Sequence, residues 1–197
     1  MKKRMVPLGL LLLLLVAAQA RADSALDTVK SRVNQVLGVL GDPALKADSA
    51  KPAKVKQLRA IFDKTFDFVE LSRATLSRNW DKLKPEQQKD FVVLYRAILE
   101  KVYVDMLLLY KDQQVVFGRE RALGENRVEV DIKVVSGSTE TPIQFRLVSK
   151  SAEWWVYDFV VENISVVSSY RSQFGRLLTK ESPEEMLDAL RKQVGGF

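Results

Sequence analysis

The stretch EWWVYDFVVENISVVSSYRSQFGRLL, Glu153 to Leu178, decides how the rest of the chain is read. A half-buried strand alternates apolar with polar residues. From Trp154 to Val161 both alternating sets are apolar, with Asp158 the single interruption, and no Pro or Gly breaks the chain again before Gly175. The strands expected just upstream keep one polar face each. Val128, Val130, Ile132 and Val134 alternate with Arg127, Glu129, Asp131 and Lys133; after a turn at Ser136-Gly137-Ser138, Ile143, Phe145 and Leu147 alternate with Gln144 and Arg146. A shorter strand is expected around Val115 to Phe117. In the doubly apolar strand, one set is expected to pack the fold and the other to face something else.

The segments before this meander carry helical periodicity. Ser24 with Asp27 reads as a capping box, followed by Leu26, Val29, Val33, Val36, Leu37 and Leu40 at helical spacing and a stop at Gly41-Asp42-Pro43. Ala44 to Lys54 reads as a surface connection, and Val55, Leu58, Ile61, Phe62 and Phe66 mark a second helix. Leu71 to Trp80 suggests a short third, broken near Asn79. Pro85 opens the longest periodic segment, to about Tyr110, where Phe91, Tyr95, Ile98, Val102, Met106 and Leu109 form one stripe and Leu94, Val104, Leu107 and Leu108 fall outside it. A helix apolar over more than one stripe is covered on more than one side. Ser182, Pro183 and Glu185 start a last helix with Met186, Leu187, Leu190 and Val194 on its buried face. Helices first and then a meander of strands predict an α+β fold with an antiparallel sheet of about four strands.

The N-terminus has the form of an export signal. Lys2, Lys3 and Arg4 precede an apolar run from Val6 to Ala18, and Ala20-Arg21-Ala22 is a small-x-small cleavage site, so residues 1–22 are expected to be removed and residues 23–197 to form one domain. The run is shorter than the ~18 residues of a membrane span, and no Cys follows it for lipidation. Of the 31 Lys and Arg, four belong to this leader; the 27 that remain oppose 25 acids, a net +2 in place of +6. A basic charge that small removes the main argument for nucleic-acid binding.

Absent residue types narrow the chemistry further. The chain has no Cys and no His, which excludes disulfides, thiolate chemistry and every His-dependent triad or metal site. Phosphate-binding loops and nucleophile elbows are missing, and no Ser is followed three residues later by Lys. Asp158 stands out because its neighbours are apolar. It is either an acid or base desolvated in a pocket or a strand Asp paired with an Arg or with backbone amides. Apolar surface is in surplus on the Pro85–Tyr110 helix and on the strand Trp154–Val161. Two readings account for it: a well-filled core, or a sheet curved around helices with an apolar cavity between them.

Four stretches, FDFVELSRATLSRNW (Phe66 to Trp80), LKPEQQKDFVVLY (Leu83 to Tyr95), YDFVVENISVV (Tyr157 to Val167) and SYRSQFGRLL (Ser169 to Leu178), resemble the MlaC or toluene-tolerance family. The likeness runs in order from about Leu26 to Leu190. The most specific block is SYRSQF following a WxVYD strand. One departure is Asn163, where Gly is expected; Asn tolerates positive φ, so the bend is retained. The resemblance implies a nuclear-transport-factor-like cone whose cavity holds a phospholipid as cargo, with no cofactor. It also implies a periplasmic shuttle between an outer-membrane lipoprotein complex and an inner-membrane ABC transporter.

On that resemblance, Phe91, Tyr95, Ile98, Val102 and Met106 are expected on one cavity wall. Val130, Ile132, Phe145, Leu147, Tyr157, Phe159, Val161, Val166, Tyr170 and Phe174 are expected on the other. Arg171 is a candidate for a headgroup phosphate at the mouth, its alternative being a solvated helix Arg. The rival readings are a cone-fold isomerase or dehydratase using Asp158 with Tyr157, and a partner-binding module with a filled core.

Overall fold

The computed structural model describes residues 24–196; the expected leader lies outside them. Its elements run α1 (Ala25–Gly41), α2 (Lys51–Asp63), α3 (Phe68–Leu76), α4 (Pro85–Leu108), β1 (Gln114–Gly124), β2 (Arg127–Ser136), β3 (Thr139–Lys150), β4 (Glu153–Val161), β5 (Ile164–Ser165), α5 (Val166–Leu177) and α6 (Pro183–Gly195). The strands form one curved, unclosed antiparallel sheet in chain order, as a meander requires. The expected α+β class therefore holds, with a two-residue fifth strand added. β1 is also far longer than the stretch Val115 to Phe117.

The helix starts follow their sequence signals. Ser24 accepts from the Asp27 amide, and Ser182 and Glu185 form a reciprocal capping box ahead of Pro183. The third helix starts earlier than expected because Asp67 caps it, accepting from the Glu70 amide at 2.9 Å. α5 likewise begins at Val166, ahead of the SYRSQF block, since the Ser165 side chain accepts from the Ser168 amide.

Two bulges set which side chains face which way. In β4, Arg146 pairs with Asp158 but Leu147 pairs with Val156, so Tyr157 has no partner across the ladder. One extra residue reverses the alternation. Trp154 and Val156 before the bulge, and Phe159 and Val161 after it, consequently share a face with Ile143, Phe145 and Leu147. The double apolarity of the opening stretch is thus largely one inward set whose phase changes at Tyr157. The expectation that one unbroken alternating set packs the fold and the other faces elsewhere is corrected accordingly.

In β1 the bulge falls between Phe117 and Glu120, where Gly118 lies against Asp131: a Cβ there would stand 3.0 Å from that residue's Cβ and carbonyl oxygen. Past it, Glu120 turns to accept the Leu26 amide at 2.8 Å, placing a carboxylate on the first turn of α1. β4 ends in a two-residue hairpin with φ of +50° at Glu162 and +67° at Asn163. Both values are positive, as in the primed turn whose twist matches the flanking strands.

The opposite face of the sheet is held by ions. Arg146 donates from Nε to Glu129 and from Nη1 to Asp158, each at 3.0 Å, and Arg121 also reaches Glu129. Both carboxylates are buried, so the pairing is what makes their burial tolerable.

Apolar packing falls into two clusters. One joins α3, α4, α5 and α6 around Phe91, Tyr95, Phe174, Met186 and Leu187. The other joins α1 to the sheet through Ala25, Val29, Val130, Leu147 and Val156.

Candidate functional site

A cavity of about 500 Å³ lies between these two clusters and takes wall residues from both. That volume is within the ~300–1,000 Å³ usual for ligand pockets. α1 contributes Val29, Val33, Val36, Leu37 and Leu40; α2 and the segment after it contribute Ile61, Phe62 and Phe66. The C-terminal half of α4 supplies Leu99, Tyr103, Met106 and Leu107, and the sheet supplies Val115, Ile132, Val134, Ile143, Phe145, Phe159 and Val161. Met106 and Leu109, 57% and 74% exposed, mark the open side.

Aromatic rings hold part of this wall. The Phe159 ring meets Tyr103 edge-on at 4.7 Å between centroids and Phe66 at 5.9 Å. Burial pushes the Tyr103 phenol up to about 12, so it adds no charge to the wall near neutral pH. Two charged residues do reach the wall, Arg32 and Glu100. Glu100 is neutralised locally: Arg96 Nε stands 2.6 Å from its carboxylate and Arg59 Nε 3.4 Å. Arg32 has its Nε buried with no acceptor.

Of the residues expected on the wall, Met106, Ile132, Phe145, Phe159 and Val161 are brought together there. Phe91, Tyr95 and Ile98 belong instead to the filled helical cluster, where Phe174 meets Phe91 at 5.2 Å and Tyr170 meets Tyr95 at 5.0 Å. Val166 is buried in the same cluster. Val130 and Leu147 are fully buried under α1. Val102 is 39% exposed and does not line the cavity.

Tyr157, displaced by the bulge, lies under the Arg127 guanidinium at 4.5 Å. Arg171 does not line the cavity; it is an exposed helix Arg that donates from Nε and Nη2 to the Ala74 carbonyl at 3.0 and 2.7 Å, tying α5 to α3. Asp158 is likewise committed, accepting from Arg146, from Ser165 Oγ at 2.7 Å and from the Val167 amide at 3.1 Å. Neither Asp158 nor Tyr157 lines the cavity, so the pair invoked for an enzyme does not share a site with it.

The wall residues that sequence reasoning did not assign include all those of α1 and α2, together with Leu99, Tyr103 and Leu107 of α4 and Val115, Val134 and Ile143 of the sheet. A signal for α1 was present, because its apolar stripe runs on through Val36, Leu37 and Leu40. All three remain part-exposed, so this end of the stripe is more than the packed core uses. Among the described residues no group of three or more carboxylates could hold a metal ion, and no helix is long and apolar enough to cross a membrane.

Fold and cavity together define a class, an α+β domain whose sheet and helices wall an apolar chamber. The family model described as "MlaC protein" matches residues 30–192, and the chain belongs to that family. It is 27% identical over 187 residues to the toluene tolerance protein ttg2D of Pseudomonas putida, covering 94% of this chain and 83% of that protein. It is 24% identical over 158 residues to the intermembrane phospholipid transport system binding protein MlaC of Haemophilus influenzae, covering 74% of each. Among solved structures, a phospholipid-binding protein from Ralstonia solanacearum, in complex with a phospholipid, superposes with a TM-score of 0.77. It is 22% identical, with 88% of this chain and 98% of that one covered.

Proposed function

We propose that this protein is a periplasmic carrier of phospholipid, taking acyl chains into the cavity between α1, α2, α4 and the sheet. The observation that carries the reading is the chamber of about 500 Å³, apolar over almost all of its wall and open where Met106 and Leu109 are exposed. The relatives' names and the bound phospholipid of the structural neighbour support the choice of ligand. On this reading the protein exchanges lipid with an inner-membrane ABC transporter and an outer-membrane lipoprotein complex, and it catalyses no covalent step.

The physics of such a carrier is a balance. Burial of acyl chain is worth ~0.8 kcal/mol per CH₂ in the cavity and in a bilayer alike. A cavity much poorer than a bilayer extracts nothing, and one much richer never releases its cargo. Transfer in one direction therefore depends on the partners.

The test is mass spectrometry of an organic extract of the protein purified from its own compartment. Diacyl phospholipid at near one molecule per chain is the expected result. Protein that is folded and carries no extractable lipid, even after incubation with vesicles, refutes the reading. Recovery in the periplasmic fraction, with a mature N-terminus at Asp23, is the matching expectation for location.

A further inference from the structure

Arg32 and Glu100, the two charges on the cavity wall, are treated oppositely by the fold. Glu100 has two guanidinium partners. Arg32 has none: among the described residues no hydrogen bond or ion pair reaches it, and its Nε is buried without an acceptor. The helix itself offers no remedy. The residues three and four positions away on α1 are Val29, Thr28, Gln35 and Val36, with no carboxylate among them. A buried donor on a cation that lacks any acceptor is costly, and folded proteins seldom leave one.

We infer that Arg32 is the anion anchor of the cavity, binding the phosphodiester of the carried lipid. This deepens the carrier reading above and rests on it. Arg32 lies on α1 beside the wall residues Val29, Val33 and Val36, and the residue is part-exposed although its Nε is buried, as expected of a long side chain whose apolar stem runs along an apolar wall. A phosphodiester has the same position in a diacyl lipid, at the junction between acyl chains and headgroup. A guanidinium also presents a planar fork of donors that matches two phosphate oxygens. Recognition at this level reads the phosphate shared by many phospholipids and leaves the headgroup unread. It would discriminate against an uncharged diacyl lipid of equal chain length.

The test compares dioctanoyl-phosphatidylglycerol with dioctanoylglycerol, binding to the delipidated full-length mature chain being read by native mass spectrometry. For Arg32→Gln and Arg32→Met, affinity for the phospholipid is expected to fall about tenfold or more, while affinity for dioctanoylglycerol changes less than about twofold and circular dichroism stays native. Arg32→Lys should recover part of the loss, keeping the charge without the fork.

Equal losses for both lipids, or an undiminished preference for the phospholipid, overturn the anchor and leave the carrier reading standing. A wild-type chain that binds neither lipid sinks both. The source of the anion is settled by the Arg32 Nε–H signal in nuclear magnetic resonance. A shift with the phospholipid and none with millimolar inorganic phosphate supports the lipid, whereas the same saturable shift with inorganic phosphate assigns the site to free phosphate and overturns the proposal.

Discussion

One apolar stripe runs along α4, and its two ends have opposite fates. Up to its middle, Phe91, Tyr95 and Ile98 are at most 1% exposed and interlock with Tyr170, Phe174 and α6. In the C-terminal half Tyr103, Met106 and Leu107 face a cavity, and Leu109, just past the helix, is 74% exposed. The stripe stays apolar from Phe91 to Met106; what changes is the set of opposing elements. α5 and α6 bring rings and long aliphatic side chains against the first half. Across the second, α1 and α2 offer a thinner layer whose residues Val33, Val36, Leu37 and Phe62 are only half-buried. Whether an apolar face becomes core or chamber is therefore decided by what stands opposite it.

The most severe way to break this arrangement is to delete Phe159. If the bulge at Tyr157 is kept, Val160 takes the inward place and Val161 moves to the ion-paired face; if the bulge is lost, Asp158 turns inward, and in both cases the ring between Tyr103 and Phe66 is gone. The filled half and the hollow half both lose their shared strand. Loss of near-ultraviolet circular dichroism and of cooperative unfolding is the expected outcome. A cooperatively folded deletion variant would show that the register is fixed elsewhere.

Alanine substitution compares the halves directly. Phe91→Ala opens a void among rings that cannot collapse, and should lower stability in urea denaturation by about 3–5 kcal/mol. Leu107→Ala only enlarges a chamber already present, and should cost about 1 kcal/mol or less. Similar losses at the two positions would mean that the cavity wall is packed as tightly as the core.

This comparison also explains how far the sequence could be read. Element types, the meander, the Ser24 N-cap, the capping box of Ser182 and Glu185 and the apolar stripe of α4 follow from local pattern, and local pattern is what sequence displays. The bulge at Tyr157 was hidden because it depends on Leu147 pairing with Val156, a relation between strands. The true wall was hidden for a similar reason. Phe91 and Met106 belong to one stripe, and nothing in that stripe says that Phe174 stands opposite the first and an open side lies beside the second. Asp158 was legible as an oddity and resolves into a paired strand carboxylate once Arg146 and the start of α5 are placed.

A bulky residue in the chamber sharpens the contrast from the other side. Leu37→Trp adds a ring to space that the fold leaves open, so it should reduce co-purified lipid several-fold while shifting stability by no more than about 1 kcal/mol. Unchanged lipid content would remove the α1 face from the binding surface.

The smallest effect is electrostatic and lies on the seam between the halves. Residues 65–67 run alongside β4 at its bulge, the Asp67 amide donating to the Val156 carbonyl at 2.9 Å and the Val156 amide to the Thr65 carbonyl at 2.8 Å. Burial pushes the Asp67 carboxyl up, but the Lys150 ammonium and the amides of Glu70 and Val69 more than offset it, holding the group below the usual carboxylate range. A carboxyl depressed on folding stabilises the protein at pH values above its unfolded value, ~3.9. The contribution disappears as pH falls through the lower, folded value. Stability at pH 5 to 7 should thus be insensitive to Asp67 titration and should decline below about pH 4. The group is partly solvated, so its share of that decline should stay under about 1 kcal/mol. Asp67→Asn retains an N-cap for α3 while abolishing the titration, so its stability difference from wild type should shrink as pH drops from 5 to 2. A difference that stays constant over that range would show that Lys150 does not hold the Asp67 carboxylate in its charged form.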